Sequence, residues 1–369
     1  MKIGFDGKRA TQNLTGLGNY SRYLIGLLAK FYPQNEYIVY ALSIPSPEAA
    51  VARVFYEYPN TNFMKSYWRS YGIVKTLLQN KVDLFHGLSN EIPFGLKKAR
   101  IPSVVTIHDL IFIRYPEYYP FVDRLIYKFK IRHATLHADK IIAISRQTKH
   151  DIIHYLGIKE DKIEVIYQDC DPVFHQTVSQ IEKDEIKHRY QLPEKYILNV
   201  GTIEERKNLL LIAKALLRID NLHLVVVGRE TKYTHKVKDF LKKNDLSERV
   251  HFLHKVEYRD LPAIYQQAEL FVYPSRFEGF GIPIVEALHS GVPVIAARGS
   301  CLEEAGGPDS VYVDPDDEVE LALNIQTIIQ NNEIKKEMIN SGKRYLEKFS
   351  GKSISDQTIR LYENVINNA

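Results

Sequence analysis

Short, almost unbroken apolar runs separated by longer amphipathic stretches recur along the whole chain, and this alternation limits the fold more than any other feature. In the first half the apolar runs fall at residues 2–5, 37–41, 82–86, 104–108, 140–145 and 163–167. Helical patterns such as 18–31 and 147–156 lie between them. The second half repeats the scheme, with runs at 196–200, 223–227, 250–252, 270–273, 293–296 and 310–313. Its helical stretches fall at 208–219, 232–244, 260–267, 283–290 and 318–331. Strands without polar alternation are buried on both faces, which calls for a parallel sheet covered by helices. Short right-handed crossovers then give two doubly wound, Rossmann-like α/β domains facing one another, their strand C-termini toward a shared cleft.

A length of 369 residues fits two domains. The boundaries read as residues 1–170, a polar connection at 171–194, and 195–349. A final helix at 350–369 has Ile354, Ile359, Leu361, Tyr362 and Val365 as apolar positions. A hydrophobic content of 45% with 25% charged residues is ordinary for a globular protein, and no apolar run of 18 residues is present. Met1-Lys2-Ile3 starts directly as a strand, without a signal-peptide pattern. The two cysteines, Cys170 and Cys301, are far apart, which argues against a disulfide scaffold or a Cys-based zinc site and fits a reducing cytoplasm. Residues 1–175 hold 23 Lys/Arg against 16 Asp/Glu, so the first half carries about +7 and the rest about −3. No nucleic-acid-binding signature accompanies that charge. The aromatic-basic stretch 115–132 suits either an anionic membrane surface or a half-buried helix with solvated lysines, and the latter is favoured.

The chemistry concentrates in Arg276-Phe277-Glu278-Gly279-Phe280-Gly281-Ile282-Pro283-Ile284-Val285-Glu286, which joins an apolar strand to a helix. The glycines let backbone approach a ligand, and Pro283 suits a helix start. Glu278 is expected in the loop before the helix and Glu286 in its first turn. Free N–H groups at such a terminus attract phosphate, while carboxylates accept sugar hydroxyls. The segment from 250 to 314 closely resembles the family 4 retaining glycosyltransferases, whose signature is this Glu-x7-Glu motif after a strand ending in Pro-Ser. The match continues through Ala287-Leu288, Gly291-Val292-Pro293-Val294-Ile295-Ala296 and Val313-Asp314-Pro315. The resemblance extends over essentially the whole chain and implies the GT-B architecture, with the last helix crossing back to the first domain.

Other loops gain meaning from that resemblance. Asn13-Leu14-Thr15-Gly16-Leu17-Gly18 follows the first strand, and Gly16 and Gly18 would face the donor diphosphate or the acceptor. His108 matches the histidine that the family presents to the transferred sugar, and His86 is a weaker candidate for acceptor contact. Gly201-Thr202-Ile203-Glu204-Glu205-Arg206-Lys207 leads into a helix, and the Arg206–Lys207 pair matches the family's diphosphate cations. That loop is expected to be exposed. Thr202 stands where some members carry a further basic residue. Val256 falls in the segment whose backbone reads the nucleobase. Ser300-Cys301-Leu302-Glu303 lacks a proline common in the family.

The resemblance implies a retaining hexosyltransferase acting from a nucleotide-diphosphate sugar on a growing glycan, free or lipid-linked. Arg206 and Lys207 would neutralise the leaving diphosphate. Glu278 and His108 would meet the transferred sugar, the N–H groups of Phe280, Gly281 and Ile282 the sugar and phosphate, and Glu286 the ribose. No metal or other cofactor is expected. The patterns around His108 and Gly201 resemble bacterial mannosyltransferase-like polysaccharide enzymes, favouring GDP-mannose over a UDP-hexose. The expected location is the cytoplasm, at the inner face of the membrane. The alternatives are a non-catalytic partner subunit of the same fold and a sugar-nucleotide epimerase.

Overall fold

The computed structural model describes residues 1–13, 16–59 and 64–369. The expected loop residues Leu14 and Thr15 lie outside these. Two compact units emerge, one of Met1–Gln168 with Phe349–Ala369, the other of Asp169–Lys348.

Among the described residues the first unit holds seven strands: β1 (Lys2–Asp6), β2 (Glu36–Tyr40), β3 (Phe55–Glu57), β4 (Leu84–Gly87), β5 (Ser103–Ile107), β6 (Lys140–Ala143) and β7 (Ile163–Val165). They pair in parallel in the order β3-β2-β1-β4-β5-β6-β7. One face packs on helices Gly16–Phe31 and Gly351–Asn367, through Leu24, Leu28, Ile354, Ile359 and Tyr362. The other face packs Leu77, Phe85, Ile107, Ile131 and Ile152. Gly18 has a strict steric reason: a Cβ there would lie 1.6 Å from the Asn13 carbonyl oxygen.

The second unit holds β8 (Tyr196–Val200), β9 (His223–Val227), β10 (Val250–Leu253), β11 (Leu270–Tyr273), β12 (Val294–Ala297) and β13 (Val311–Val313). Their order is β10-β9-β8-β11-β12-β13, again parallel. Leu-Val-Val-Val in β9 is buried throughout, as a central parallel strand demands. Helix Lys232–Lys243 starts on a Thr231 capping box, and Asp317 caps Glu318–Gln330 through two backbone N–H groups.

Three elements differ from the sequence reading. The short edge strand β3 is too polar and exposed to show an apolar run. The polar stretch 171–194 folds within the second unit and contains the helix Gln180–Tyr190; that helix buries only Ile186, too little for an amphipathic stripe. The helix expected at 208–219 is α only over Leu209–Ala215 and tightens into a 3-10 turn at Leu216–Arg218.

Candidate active site

In each sheet the strand order reverses beside the first strand, and such a switch point opens a crevice at the strand C-termini. In the second unit it lies between β8 and β11. The chain leaves β8 through Gly201 into a 3-10 turn at Glu205–Lys207, and leaves β11 through Pro274-Ser275 toward Glu278. The Arg276 N–H donates to the Arg206 carbonyl at 2.9 Å, tying the two exits together.

This brings Arg206, Lys207 and Glu278 together. Arg206 Nη1 lies 2.8 Å from Glu278 Oε2, and its Nη2 lies 2.6 Å from Glu204 Oε1. Lys207 Nζ lies 2.9 Å from Glu278 Oε1 and 2.6 Å from the Tyr273 hydroxyl. Glu278 Oε1 also accepts from Tyr273 at 2.9 Å and Ser275 at 2.8 Å. The Arg206 guanidinium donates to the Phe277 carbonyl as well. The expectation of an exposed cation loop is corrected here: the Arg206 and Lys207 side chains are only 14% and 15% exposed. The reason is that Glu278, from the far end of another loop, draws both inward. Burial pushes the Glu278 carboxyl up, but the Lys207 and Arg206 charges and hydrogen bonds outweigh it and hold the group at about 2.

Glu286 is placed differently from the reading above. The helix spans Ile282–His289, with Pro283 second, so Glu286 sits beyond the first turn and gains little from the macrodipole. It is buried, and Oε2 accepts from the Tyr265 hydroxyl at 2.8 Å. Burial pushes its carboxyl up to about 7, with Asp171 adding to the rise and Tyr265 and Lys207 opposing it. Gly281 takes φ +120°, so a side chain there would be strained as well as crowded by Leu302 and Ala305. Phe280 is buried, Ile282 half-buried, and Thr202 and Val256 half-buried in loops after β8 and β10. The Cys301 thiol donates to the Glu278 carbonyl at 3.0 Å, so the loop that lacks the proline braces the Glu278 backbone.

In the first unit His108 follows β5 and is 5% exposed. Nε2 lies 2.9 Å from the Leu88 carbonyl, which only accepts, so Nε2 carries the proton and Nδ1 keeps its lone pair. Burial lowers the imidazole to about 4, despite that hydrogen bond, and it is neutral at pH 7. Tyr20 meets its ring edge-on at 4.7 Å. His86 is not available to an acceptor. It is fully buried, with Nδ1 2.6 Å from Tyr362 OH and Nε2 2.9 Å from Thr106 Oγ1, and it fastens helix Gly351–Asn367 to the sheet. Gly16 and Gly18 occupy the first turn of helix Gly16–Phe31.

Sequence reasoning missed Tyr273, Ser275, Tyr265 and Cys301. Tyr273 and Ser275 had a signal, since both flank the C-terminal end of a buried strand next to the motif. Tyr265 and Cys301 had none, because long-range packing alone brings them in.

The family model described as Glycosyltransferase Family 4 matches residues 14–172, and the one described as Glycosyl transferases group 1 matches residues 180–345. The chain is 30% identical to O-antigen chain mannosyltransferase B of Escherichia coli over 287 residues, covering 76% of this chain and 74% of that protein. It is 29% identical to O-antigen chain mannosyltransferase RfbU of Salmonella typhimurium, covering 65% and 67%. The fold is similar to a Rickettsia africae glycosyltransferase at a TM-score of 0.79 and 16% identity, covering 100% and 99% of the two chains. It is also similar to Anabaena HepE, solved with UDP-glucose, at 0.77 and 20% identity, covering 99% and 100%.

Proposed function

The chain belongs to the family 4 glycosyltransferases of GT-B fold, and on that premise we propose that it transfers mannose from GDP-mannose, with retention, to a growing lipid-linked glycan. The observation that carries this reading is the convergence of Arg206, Lys207 and Glu278 at the β8/β11 switch point. The two cations would face the departing diphosphate as preorganised charge. Within the chain Glu278 satisfies them. An arriving diphosphate takes over both cations and frees Glu278 to accept hydroxyls of the transferred sugar. The family resemblance would assign contact with that sugar to His108, whose imidazole burial holds neutral. The mannosyltransferase names of the relatives support mannose as the transferred sugar, whereas UDP-glucose is the ligand of a neighbour related only in fold. A thermal-shift panel of nucleotide sugars tests the choice: GDP-mannose is expected to raise the melting temperature most, and a larger rise with a UDP-hexose would overturn it. Release of nucleotide only with acceptor present separates transfer from epimerisation and from a non-catalytic subunit.

Fixed cations take the part a divalent metal plays at other diphosphate sites, so we assign the reaction no metal. Transfer is expected to continue unchanged in EDTA; a loss restored by Mg²⁺ or Mn²⁺ would contradict this.

Glu286 is assigned the ribose, remote from the reacting bond. Glu286→Ala should mostly raise donor KM and leave kcat near its starting value. Only the ionised carboxylate is a pure acceptor. Because the group titrates near 7, donor KM should fall as pH rises from 6 to 8, and Glu286→Gln should flatten that profile. The sign for stability is opposite. A carboxyl raised from 4.5 to about 7 contributes fully below pH 4.5 and loses that contribution as pH rises through 7. A donor KM independent of pH in the wild type would remove Glu286 from ribose binding.

Among the described residues no helix is long and apolar enough to cross a membrane. Helix Phe121–His137 nevertheless leaves Phe121, Val122 and Phe129 more than 60% exposed beside Arg124, Lys128 and Arg132, burying only Ile131, Ala134 and Thr135. That mixture suits contact with an anionic bilayer carrying the acceptor. Flotation with phosphatidylglycerol-containing vesicles should capture the chain, and Phe121→Asp with Phe129→Asp should abolish capture. Equal flotation of both proteins would refute the contact.

A further inference from the structure

Away from the Glu278 ion pair, four side chains with metal-binding atoms meet inside the second unit. Asp169 and Cys170 open that unit, and His175 ends the 3-10 turn Pro172–His175 that Asp171 caps. His289 ends helix Ile282–His289, one turn beyond Glu286. One ligand atom from each lies within 4.8 Å of all the others. Asp169 Oδ1 is 3.0 Å from His289 Nε2, Asp169 Oδ2 is 3.5 Å from His175 Nε2, and Cys170 Sγ is 3.8 Å from His175 Nε2. Around a tetrahedral zinc ion with bonds of about 2.0–2.3 Å, ligand atoms stand roughly 3.3–3.8 Å apart.

We propose that Asp169, Cys170, His175 and His289 form a binding site for one zinc ion. The donor set decides the class of ion. One sulfur, two imidazoles and one carboxylate suit a borderline cation of tetrahedral habit, whereas magnesium and calcium take oxygen. Asp169 and Cys170 are buried, at 6% and 2% exposure, so the ion sits shielded on that side. The Cys170 N–H donates to Asp169 Oδ1 at 2.8 Å and orients the carboxylate. His175 provides the entry side. The two imidazoles stack, with ring centroids 3.8 Å apart and planes 19° apart. Binding turns His175 out of that stack so that its Nε2 lone pair faces the ion, and its side chain, 35% exposed, has room to turn. Zinc takes a cysteine as thiolate, so the thiol proton passes to solvent as the Zn–S bond forms. Counting cysteines could not find this site, because a single thiol suffices when two histidines and an aspartate complete the set. The ion would clamp the segment entering the second unit to the helix that carries Glu286.

The site stands apart from the transfer reaction, and its test needs neither donor nor acceptor. The full chain, stripped with chelator, is titrated with Co²⁺ and then with Zn²⁺. One Co²⁺ per chain is expected, with the intense visible bands of four-coordinate cobalt and a thiolate-to-cobalt charge-transfer band. Zn²⁺ should displace it and raise the melting temperature. Cys170→Ser should lose the charge-transfer band, and Cys301→Ser should keep it. His175→Ala and His289→Ala should each weaken binding by more than the roughly 10–100-fold that loss of an outer-shell partner costs. Only weak six-coordinate bands, no saturation at one ion per chain, or a thiolate band that survives Cys170→Ser would overturn the proposal and leave an aspartate-bridged imidazole pair.

Discussion

Replacing Glu278 with alanine is expected to lower stability by about 3–5 kcal/mol in the absence of donor, the range for removing one partner of a buried ion pair. The carboxylate neutralises Arg206 and Lys207 together, and both side chains are largely buried. Glu204 remains on Arg206, but Lys207 is left with the Tyr273 hydroxyl. The pH dependence carries the same information. A group lowered from 4.5 to about 2 in the folded chain contributes roughly 3 kcal/mol. That contribution is complete above pH 4.5 and is lost as pH falls through 2. Acid melting of the wild type should therefore show a loss between these values that is missing in Glu278→Gln. Turnover should fall as well, by roughly ten- to a hundredfold in kcat, the scale of a hydrogen bond to a charged group. A variant with wild-type melting and wild-type kcat would remove Glu278 from both roles.

The second large effect is on the cations. Arg206→Ala or Lys207→Ala should each cut turnover by about 10²–10³, as expected when one preorganised charge is lost from a leaving group. Folding is less threatened than in Glu278→Ala, because either deletion leaves Glu278 with one cation. The double variant should be less damaging than the product of the singles, since both residues serve one carboxylate and one diphosphate. Arg206→Lys should not restore the rate: the guanidinium spans Glu204 and Glu278 at once, and an ammonium cannot. Steady-state kinetics with saturating acceptor checks all four proteins. Rates near wild type in both single variants would eliminate the pair from the mechanism.

The sequence carried the parallel α/β fold because buried strands announce themselves. Residues 196–200, 223–227 and 270–273 were expected as strands and form β8, β9 and β11 with those ends. Elements stabilised mainly by context did not show: β3 is three residues at a sheet edge, and Gln180–Tyr190 is mostly charged. The site was legible at the level of loops. Strand C-termini, glycines and paired cations point to one edge of a sheet whatever the side chains do there. What the sequence concealed was the internal pairing. Glu278 and Lys207 are 71 residues apart, and no local pattern says that a sugar-binding carboxylate first serves as counter-ion to the phosphate-binding cations. Burial reversed two further expectations. It silenced His86 by satisfying both of its nitrogens, and it gave Glu286 a proton affinity that its place in the sequence does not suggest.

The central claim is that Glu278 and the donor diphosphate compete for Arg206 and Lys207. Calorimetric titration of GDP into the wild type and into Glu278→Gln tests it most directly. Glutamine keeps the shape and removes the charge, so the diphosphate no longer has a rival for the two cations. The account predicts that GDP binds Glu278→Gln more tightly than wild type, by about tenfold or 1.4 kcal/mol, even though the variant turns over more slowly. Equal or weaker GDP binding in Glu278→Gln would contradict it.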